Sequence, residues 1–221
     1  MDIYKDGKIY FQNLSSMLPP IVVTPKKGES ILDMTAAPGG KTTEMACLSN
    51  NEALITAVEK DKIRSDRLKY NLNKQGASKV TVLVEDASKL DEFFRFDKIL
   101  LDAPCSGSGT IDLENPLSYR NFNNNLVLKS IEKQKLLLKK ASQIIKDGGE
   151  IIYSTCSILK EENECIVNEL LKLDNFEIVP IDDNLFCNIP KLPVTIKGTM
   201  CVCPNEYYEG FYVAKIRKIK K

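Results

Sequence analysis

Ser30-Ile31-Leu32-Asp33-Met34-Thr35-Ala36-Ala37-Pro38-Gly39-Gly40-Lys41-Thr42 is the stretch that decides the fold of this chain. Its first five residues form an apolar run with the length and flanks of a buried strand. Thr35 to Lys41 is a turn of small residues, and Thr42 to Leu48 reads as a helix. Strand, small-residue turn and helix, in that order, open a parallel α/β sheet. Small residues let the backbone approach a ligand closely, and the helix N-terminus favours an anionic group. Gly40-Lys41-Thr42 imitates the end of a P-loop, but that pattern needs glycine at position 35, where Thr35 stands. The dinucleotide pattern Gly-x-Gly-x-x-Gly is also absent. The turn is therefore expected to serve a nucleoside cofactor with a different anionic part.

Outward from this unit the alternation continues. Leu54 to Val58 reads as a strand ending at Glu59, Val80 to Val84 as one ending at Glu85-Asp86, and Phe96 to Leu101 as one running into Asp102. Glu150 to Ser154 reads as a fifth strand, and Thr199 to Val202 and Phe211 to Ile216 as two more in the tail. Helices are predicted over Lys62 to Gln75, with Ile63, Leu68 and Leu72 among its apolar positions and Gly76 as its stop. Two further helices are predicted over Leu126 to Ile145, closed by Asp147-Gly148-Gly149, and over Lys160 to Leu173. Residues 112–125, with Asn115-Pro116 and an asparagine-rich patch, read as a loop. The pattern predicts an α/β fold, a mostly parallel sheet with helices on both faces. Residues 1–29 are read as a lead-in segment and residues 30–221 as a single domain. In the lead-in, Gly7 to Phe11 reads as a short strand, and Leu14 to Leu18 as a helical turn stopped by Pro19-Pro20.

The chain has 221 residues, 43% hydrophobic and 28% charged, with a net charge of +1, the composition of one globular domain. That charge balance carries no global nucleic-acid signature, though Lys215, Arg217, Lys218, Lys220 and Lys221 form a local basic cluster, read equally as a solvated tail. Met1 to Asp6 lacks the apolar core of a secretory signal, and no run has the ~18 apolar residues of a membrane span. A cytoplasmic protein that does not enter a membrane is expected, its seven cysteines reduced. Histidine is absent, which excludes cysteine–histidine dyads and histidine-ligated metals. Cys201-Val202-Cys203 is one residue short of a zinc-binding pair and reads as two positions on one strand face, so no metal site is expected.

Asp33, Glu59, Asp86 and Asp102 each sit at or just past a strand end, and ligands of such sheets bind beyond those ends. Glu59 suits a ribose diol and Asp86 an adenine amino group. S-adenosylmethionine fits this set, its amino-acid end near the glycine-rich turn. The acceptor is then the question. In Asp102-Ala103-Pro104-Cys105 the proline leads into a thiol, and a second thiol, Cys156, closes the run Ile151 to Thr155. A thiol adds nothing to amine methylation. It does solve methylation at C5 of cytosine, a poor nucleophile until a thiolate adds at C6. One cysteine can attack while the other assists release, with Asp102 bonded to the N3 and amino edge of the base.

At these residues the chain resembles the RNA 5-methylcytosine methyltransferases of the RsmB/NOP2/Sun type. The resemblance runs from about Phe11 to Lys218 and rests on Gln12-Asn13-Leu14-Ser15-Ser16-Met17, Asp33 to Thr42, Asp102 to Gly107, Tyr153-Ser154-Thr155-Cys156-Ser157, Glu161-Glu162-Asn163-Glu164 and Gly210 to Lys215. It implies the Rossmann-like class I S-adenosylmethionine-dependent methyltransferase fold. It implies Cys156 as nucleophile and Cys105 as the residue that aids release. It further implies cofactor binding by Thr35, Ala36, Ala37, Pro38, Gly39, Gly40 and Lys41 together with Glu59, Arg64, Asp86 and Asp102, and Lys41 lies near the catalytic face. Thr35 replaces a cysteine common in the family, and Glu59 an aspartate. The expected substrate is transfer RNA, with ribosomal RNA as the alternative. A non-catalytic RNA-binding protein keeping the fold, and a small-molecule methyltransferase, are the readings from other classes. Members of the family usually carry an RNA-binding domain ahead of the catalytic one, so RNA selection is expected to come from the catalytic domain itself, from a separate RNA-binding partner or from a missing segment.

Overall fold

A computed structural model describes residues 2–220 of the chain. A short helix, α1 (Asp2–Lys5), is followed by extended chain, so Gly7 to Phe11 is not the strand expected. A turn over Ser15–Met17 then leads directly into α2 (Leu18–Val23). Pro19 and Pro20 thus begin a helix rather than end one, because the first helical turn needs no backbone N–H and proline's φ suits it. Leu18, Val22 and Val23 are buried in the same core as the sheet, so the lead-in packs into the body of the fold.

The alternating unit forms as read. β1 (Ser30–Asp33) is followed by α3 (Gly40–Leu48), β2 (Leu54–Val58), α4 (Lys62–Lys74), β3 (Val80–Leu83) and β4 (Phe96–Asp102). In α4 only Ser65, Leu68 and Leu72 are buried, whereas Ile63 faces solvent, one position off the buried stripe. The loop of residues 112–125 contains a short turn over Pro116–Ser118, after which Asn123 caps α5 (Asn124–Ile144) by accepting from the Leu126 N–H.

The end of α5 departs from expectation. No loop separates it from β5 (Ile145–Thr155), and Asp147-Gly148-Gly149 lies inside the strand. Register with β4 shifts there, from Phe96 opposite Ile145 to Lys98 opposite Glu150, so the extra residues form a bulge, and Gly148 takes φ +78. α6 (Glu164–Leu171) starts later than Lys160 because residues 160–163 turn. Two short strands not expected, β6 (Phe176–Ile178) and β7 (Lys191–Leu192), precede β8 (Met200–Val202) and β9 (Phe211–Lys218). Each is too short to give a periodic signal. Cys201 lies in β8, while Cys203 falls past its end.

The sheet order is β3-β2-β1-β4-β5-β9-β8-β7, with β6 also on β9. The five strands β3 to β5 of this order are parallel; β9 joins antiparallel. Successive residues of each central strand enter opposite cores. Leu32, Ile99, Leu101, Ile151 and Tyr153 pack with α5 and α6 on one face, and Ile31, Leu100 and Ile152 pack with α2, α3 and α4 on the other. That is why the runs read as continuously apolar. This is the Rossmann-like fold expected. The chain leaves β1 toward β2 and β3, then returns to its other side as β4, which places the switch point between β1 and β4.

At the opposite end of the sheet, three residues of the basic tail are held in ion pairs. Lys215 and Arg217 reach Glu150 at 3.0 and 2.9 Å, and Lys218 reaches Asp147 at 3.3 Å. Lys221 lies outside the described residues. Among the described residues no helix is long and apolar enough to cross a membrane.

Candidate active site

The turn after β1 is held by its own strand. Thr42 Oγ1 donates to Asp33 Oδ2 at 2.7 Å, and Thr35 Oγ1 donates to the Asp102 carbonyl at 2.7 Å, which ties the turn to the end of β4. α4 grips the turn from outside. Arg64 donates to the Ala37 carbonyl at 3.0 Å and Asn71 to the Pro38 carbonyl at 2.7 Å. Gly39 takes φ +110, and a Cβ there would meet Leu68 of α4 at 2.9 Å.

Asp33 is wholly buried beneath the turn, and burial pushes its carboxyl up to about 6 against the help of Thr42 and Lys41. It anchors the turn from below and lines, with Asp102, the smaller cavity beside the main cleft. The consequence for stability has a definite sign. An acid whose folded pKa lies above its unfolded value binds extra protons when folded, so its contribution is present at low pH and is lost as pH rises through about 4 to about 6. Asp33→Asn, which keeps an acceptor for Thr42, is expected to remove this dependence, on the order of 2 kcal/mol. Thermal unfolding at pH 4 and pH 7 checks it: the wild type should lose more stability between the two than the variant.

Beyond the strand ends lies a cleft of about 430 Å³, the size of a nucleoside cofactor site. Thr35, Ala37, Glu59, Arg64, Asp86 and Asp102 line it, as do both thiols, Cys105 and Cys156. Ala36, Pro38, Gly40 and Lys41 line a smaller adjoining cavity of about 220 Å³ that shares Thr35, Ala37 and Asp102 with the first. Gly39 lines neither and turns toward α4. Glu59 ends β2 with one oxygen on the Asp61 N–H at 2.9 Å, and Arg64 stands 3.4 Å from the other. Asp86 caps its own turn by accepting from Ser88, whose hydroxyl holds the carboxyl below its usual range. Ser88, Leu136 and Leu137 also line the cleft, the last two from α5. They belong to no motif, so no signal in the sequence could have found them.

The thiols meet because β4 and β5 are neighbours in register, Asp102 opposite Ser154. The chain leaves each strand within a few residues, and the Cys105 and Cys156 sulfurs come to 3.1 Å. They do not titrate alike. The hydrogen bond with Cys105 lowers Cys156 below the ordinary thiol range, outweighing burial and the nearby Asp102 charge, and Lys41 acts in the same direction as that bond. Cys105 is pushed well above that range by the same hydrogen bond, by burial and by the charge of Cys156.

Lys41 reaches this centre from α3. Its ammonium lies 2.7 Å from Asp102 Oδ2, 2.7 Å from Ser16 Oγ and 5.5 Å from the Phe211 ring centre. Ser154 donates to the other Asp102 oxygen at 2.9 Å. Burial alone would pull the Lys41 ammonium down, but Asp102, joined by Asp33 and Cys156, more than offsets it and raises the lysine. Ser16 and Ser154 complete the site without having been read as part of it, although both stand inside quoted motifs. The structure thus gathers a half-buried lysine–aspartate pair, two unlike thiols and a cleft lined by Glu59 and Asp86.

Residues 20–217 match the family described as 16S rRNA methyltransferase RsmB/F. The chain is 37% identical over 222 residues to the ribosomal RNA small subunit methyltransferase F of Shewanella piezotolerans, covering 96% of this chain and 46% of that protein. It is likewise 37% identical over 224 residues to the tRNA (cytosine(49)-C(5))-methyltransferase of Pyrococcus abyssi, covering 97% of this chain and 72% of that one. The crystal structure of NSun6 from Pyrococcus horikoshii with SFG superposes with a TM-score of 0.89 at 30% identity, over 100% of this chain and 56% of that one. The chain spans about half the length of the bacterial relatives it matches.

Proposed function

The chain belongs to the RsmB/F methyltransferase family, and we propose that it methylates C5 of cytosine in RNA through a covalent cysteine adduct, with S-adenosylmethionine as methyl donor. The observation that carries the reading is the pair of sulfurs 3.1 Å apart with opposite acidities, beside the Lys41–Asp102 pair and on the wall of the cleft. An amine acceptor would have no use for two thiols.

The residues present fit the cofactor. The cleft has a nucleoside's volume, Glu59 and Asp86 offer acceptors for a ribose diol and an amino group, and the charged Lys41 stands where the two cavities meet at Asp102. When bound, S-adenosylmethionine supplies the methyl group. The chain's own residues do the rest. Cys156, the more acidic thiol, adds as thiolate to C6 and makes C5 nucleophilic. Asp102 keeps a free lone pair on each oxygen for the base edge, despite its bonds to Lys41 and Ser154. Once Cys156 is bonded to carbon its negative charge is gone, and with it one main cause that keeps Cys105 protonated. Cys105, on the wall of the cleft, can then give its own proton to solvent there and, as thiolate, take the one from C5. The electrons of that C–H bond restore the ring double bond and expel the Cys156 thiolate. The reading requires free thiols and hence a reducing, cytoplasmic compartment. In it residues 30–221 are the catalytic domain, to which the segment 1–29 contributes Ser16.

Transfer RNA is the substrate we favour, supported by the Pyrococcus abyssi relative, of which this chain covers the larger share. Ribosomal RNA is the second reading, supported by the family description and the Shewanella relative. The test is incubation with S-adenosylmethionine and either unmodified tRNA or small-subunit rRNA, followed by mapping of 5-methylcytosine. Methylation confined to tRNA is expected. Methylation of rRNA alone replaces the first substrate by the second, and methylation of neither overturns the function.

A further inference from the structure

The run Glu161-Glu162-Asn163-Glu164 has no part in the chemistry above, yet Glu162, Asn163 and Glu164 are all buried. Each holds a different piece of chain. Glu164 accepts from Thr195 and from the Ile196 N–H, which fixes the loop ahead of β8. Asn163 bridges the Thr155 hydroxyl and the Ser157 carbonyl, bracing the turn around Cys156. Glu162 is 0% exposed, and its partners are hydroxyls and an amide rather than a cation. Its Oε1 accepts from the Ser106 N–H at 2.7 Å. Its Oε2 accepts from Ser106 Oγ and from Ser157 Oγ, both at 2.6 Å. Its own carbonyl accepts from the Tyr153 hydroxyl at 2.6 Å.

Ser106 follows Cys105, and Ser157 follows Cys156. One carboxylate therefore grips the residue after each thiol. Ser108 and Ser157 close the same ring at 2.8 Å, and the Ile158 N–H donates to Ser108. The loop of Cys105 has no room to drift otherwise, since a Cβ on Gly109 would lie 2.0 Å from the Gly210 carbonyl oxygen.

We propose that Glu162 is the positioning residue of the two-thiol site: by binding Ser106 and Ser157 it fixes the distance between the sulfurs, and with two of its three bonds on Ser106 it sets its carboxylate on the Cys105 side of the pair. Its charge acts in the same direction as the hydrogen bond and burial that already hold Cys105 protonated. A carboxylate so placed costs desolvation, which three hydrogen bonds offset. An amide in its place keeps the shape but carries no charge and has one acceptor oxygen in place of two.

The inference rests on the proposed function only in treating these two thiols as the reactive ones, and its test needs neither RNA nor cofactor. Initial rates of iodoacetamide alkylation at Cys105 and Cys156 are followed by mass spectrometry of the full chain from pH 6 to pH 10. In the wild type Cys156 reacts first. In Glu162→Gln the Cys105 rate at pH 8 is expected to rise about tenfold, equivalent to one unit in its midpoint, with a smaller change at Cys156. Glu162→Asp, which keeps the charge, is expected to retain the contrast. An unchanged Cys105 profile in folded Glu162→Gln overturns the proposal, and so does an equal change at both thiols, which is what general loosening gives. Should Glu162→Gln not fold, Ser106→Ala is read instead: loss of part of the contrast supports the proposal, and no loss overturns it. Failure of the functional reading looks different, as absent RNA methylation with the thiol contrast intact.

Discussion

Cys156→Ala is expected to abolish RNA methylation, a fall of about four orders of magnitude or more in kcat, while Cys105→Ala is expected to leave the protein covalently trapped on its RNA. The two outcomes differ because the two thiols differ. Cys156 is the sulfur whose acidity is raised by a hydrogen bond from its neighbour and, to a smaller extent, by Lys41, so in the proposed mechanism it is the thiol that adds. Without it no bond to C6 forms, and C5 stays unreactive. Cys105, held protonated, is a poor first nucleophile. In the proposed mechanism its work begins after the adduct has formed, so that without it the C5 proton would stay and the thiolate would not be expelled. Denaturing electrophoresis of protein with labelled RNA and S-adenosylmethionine distinguishes the cases: a slow-migrating adduct for Cys105→Ala and none for Cys156→Ala. The reverse pattern would exchange the roles, and retained turnover in both variants would sink the mechanism.

Lys41→Met is expected to lower kcat by about two to three orders of magnitude and to shift the acidic limb of the pH–rate profile upward. The sign follows from charge. Lys41 favours the Cys156 thiolate, so its loss raises the thiol's pKa, and a given thiolate fraction is reached only at higher pH. Activity of the variant should therefore rise more steeply than that of the wild type as pH is raised from 7 to 9. Asp102 loses its cation in the same variant. The pair is partly screened, with side-chain exposures of 15% and 26%, so the expected cost is about 2 kcal/mol, below that of breaking a fully buried pair. Lys41→Arg keeps the charge but spreads it over a planar fork, and is expected to preserve the pH profile better than the rate. An unshifted profile in Lys41→Met would confine Lys41 to anchoring the turn.

Much of this was legible in the sequence for a local reason. Runs such as Ile31-Leu32 and Ile99 to Leu101 are apolar on both faces because both faces are covered, and each is followed by an acid, Asp33 or Asp102, because the strands end beside the ligand cavities. Misreadings fell where local signals are ambiguous. Pro19-Pro20 can stop a helix or start one, and the preceding turn over Ser15–Met17 decides which. Asp147-Gly148-Gly149 reads as a loop, but pairing with β4 draws it into a strand as a bulge. Asp33 looks like its three sister acids, yet the turn folds over it.

By itself, then, the amino-acid sequence determined the alternating α/β fold, the acids at the strand ends and the identity of both thiols, because strand length, turn composition and residue chemistry are properties of neighbours in the chain. Only the tertiary structure decided that the sulfurs stand 3.1 Å apart, that Lys41 is paired with Asp102, and that one buried carboxylate, Glu162, holds the residues beside both cysteines. Those distances join residues far apart in the chain. They are set by the order of the strands and by the register that places Asp102 opposite Ser154, which no local pattern encodes.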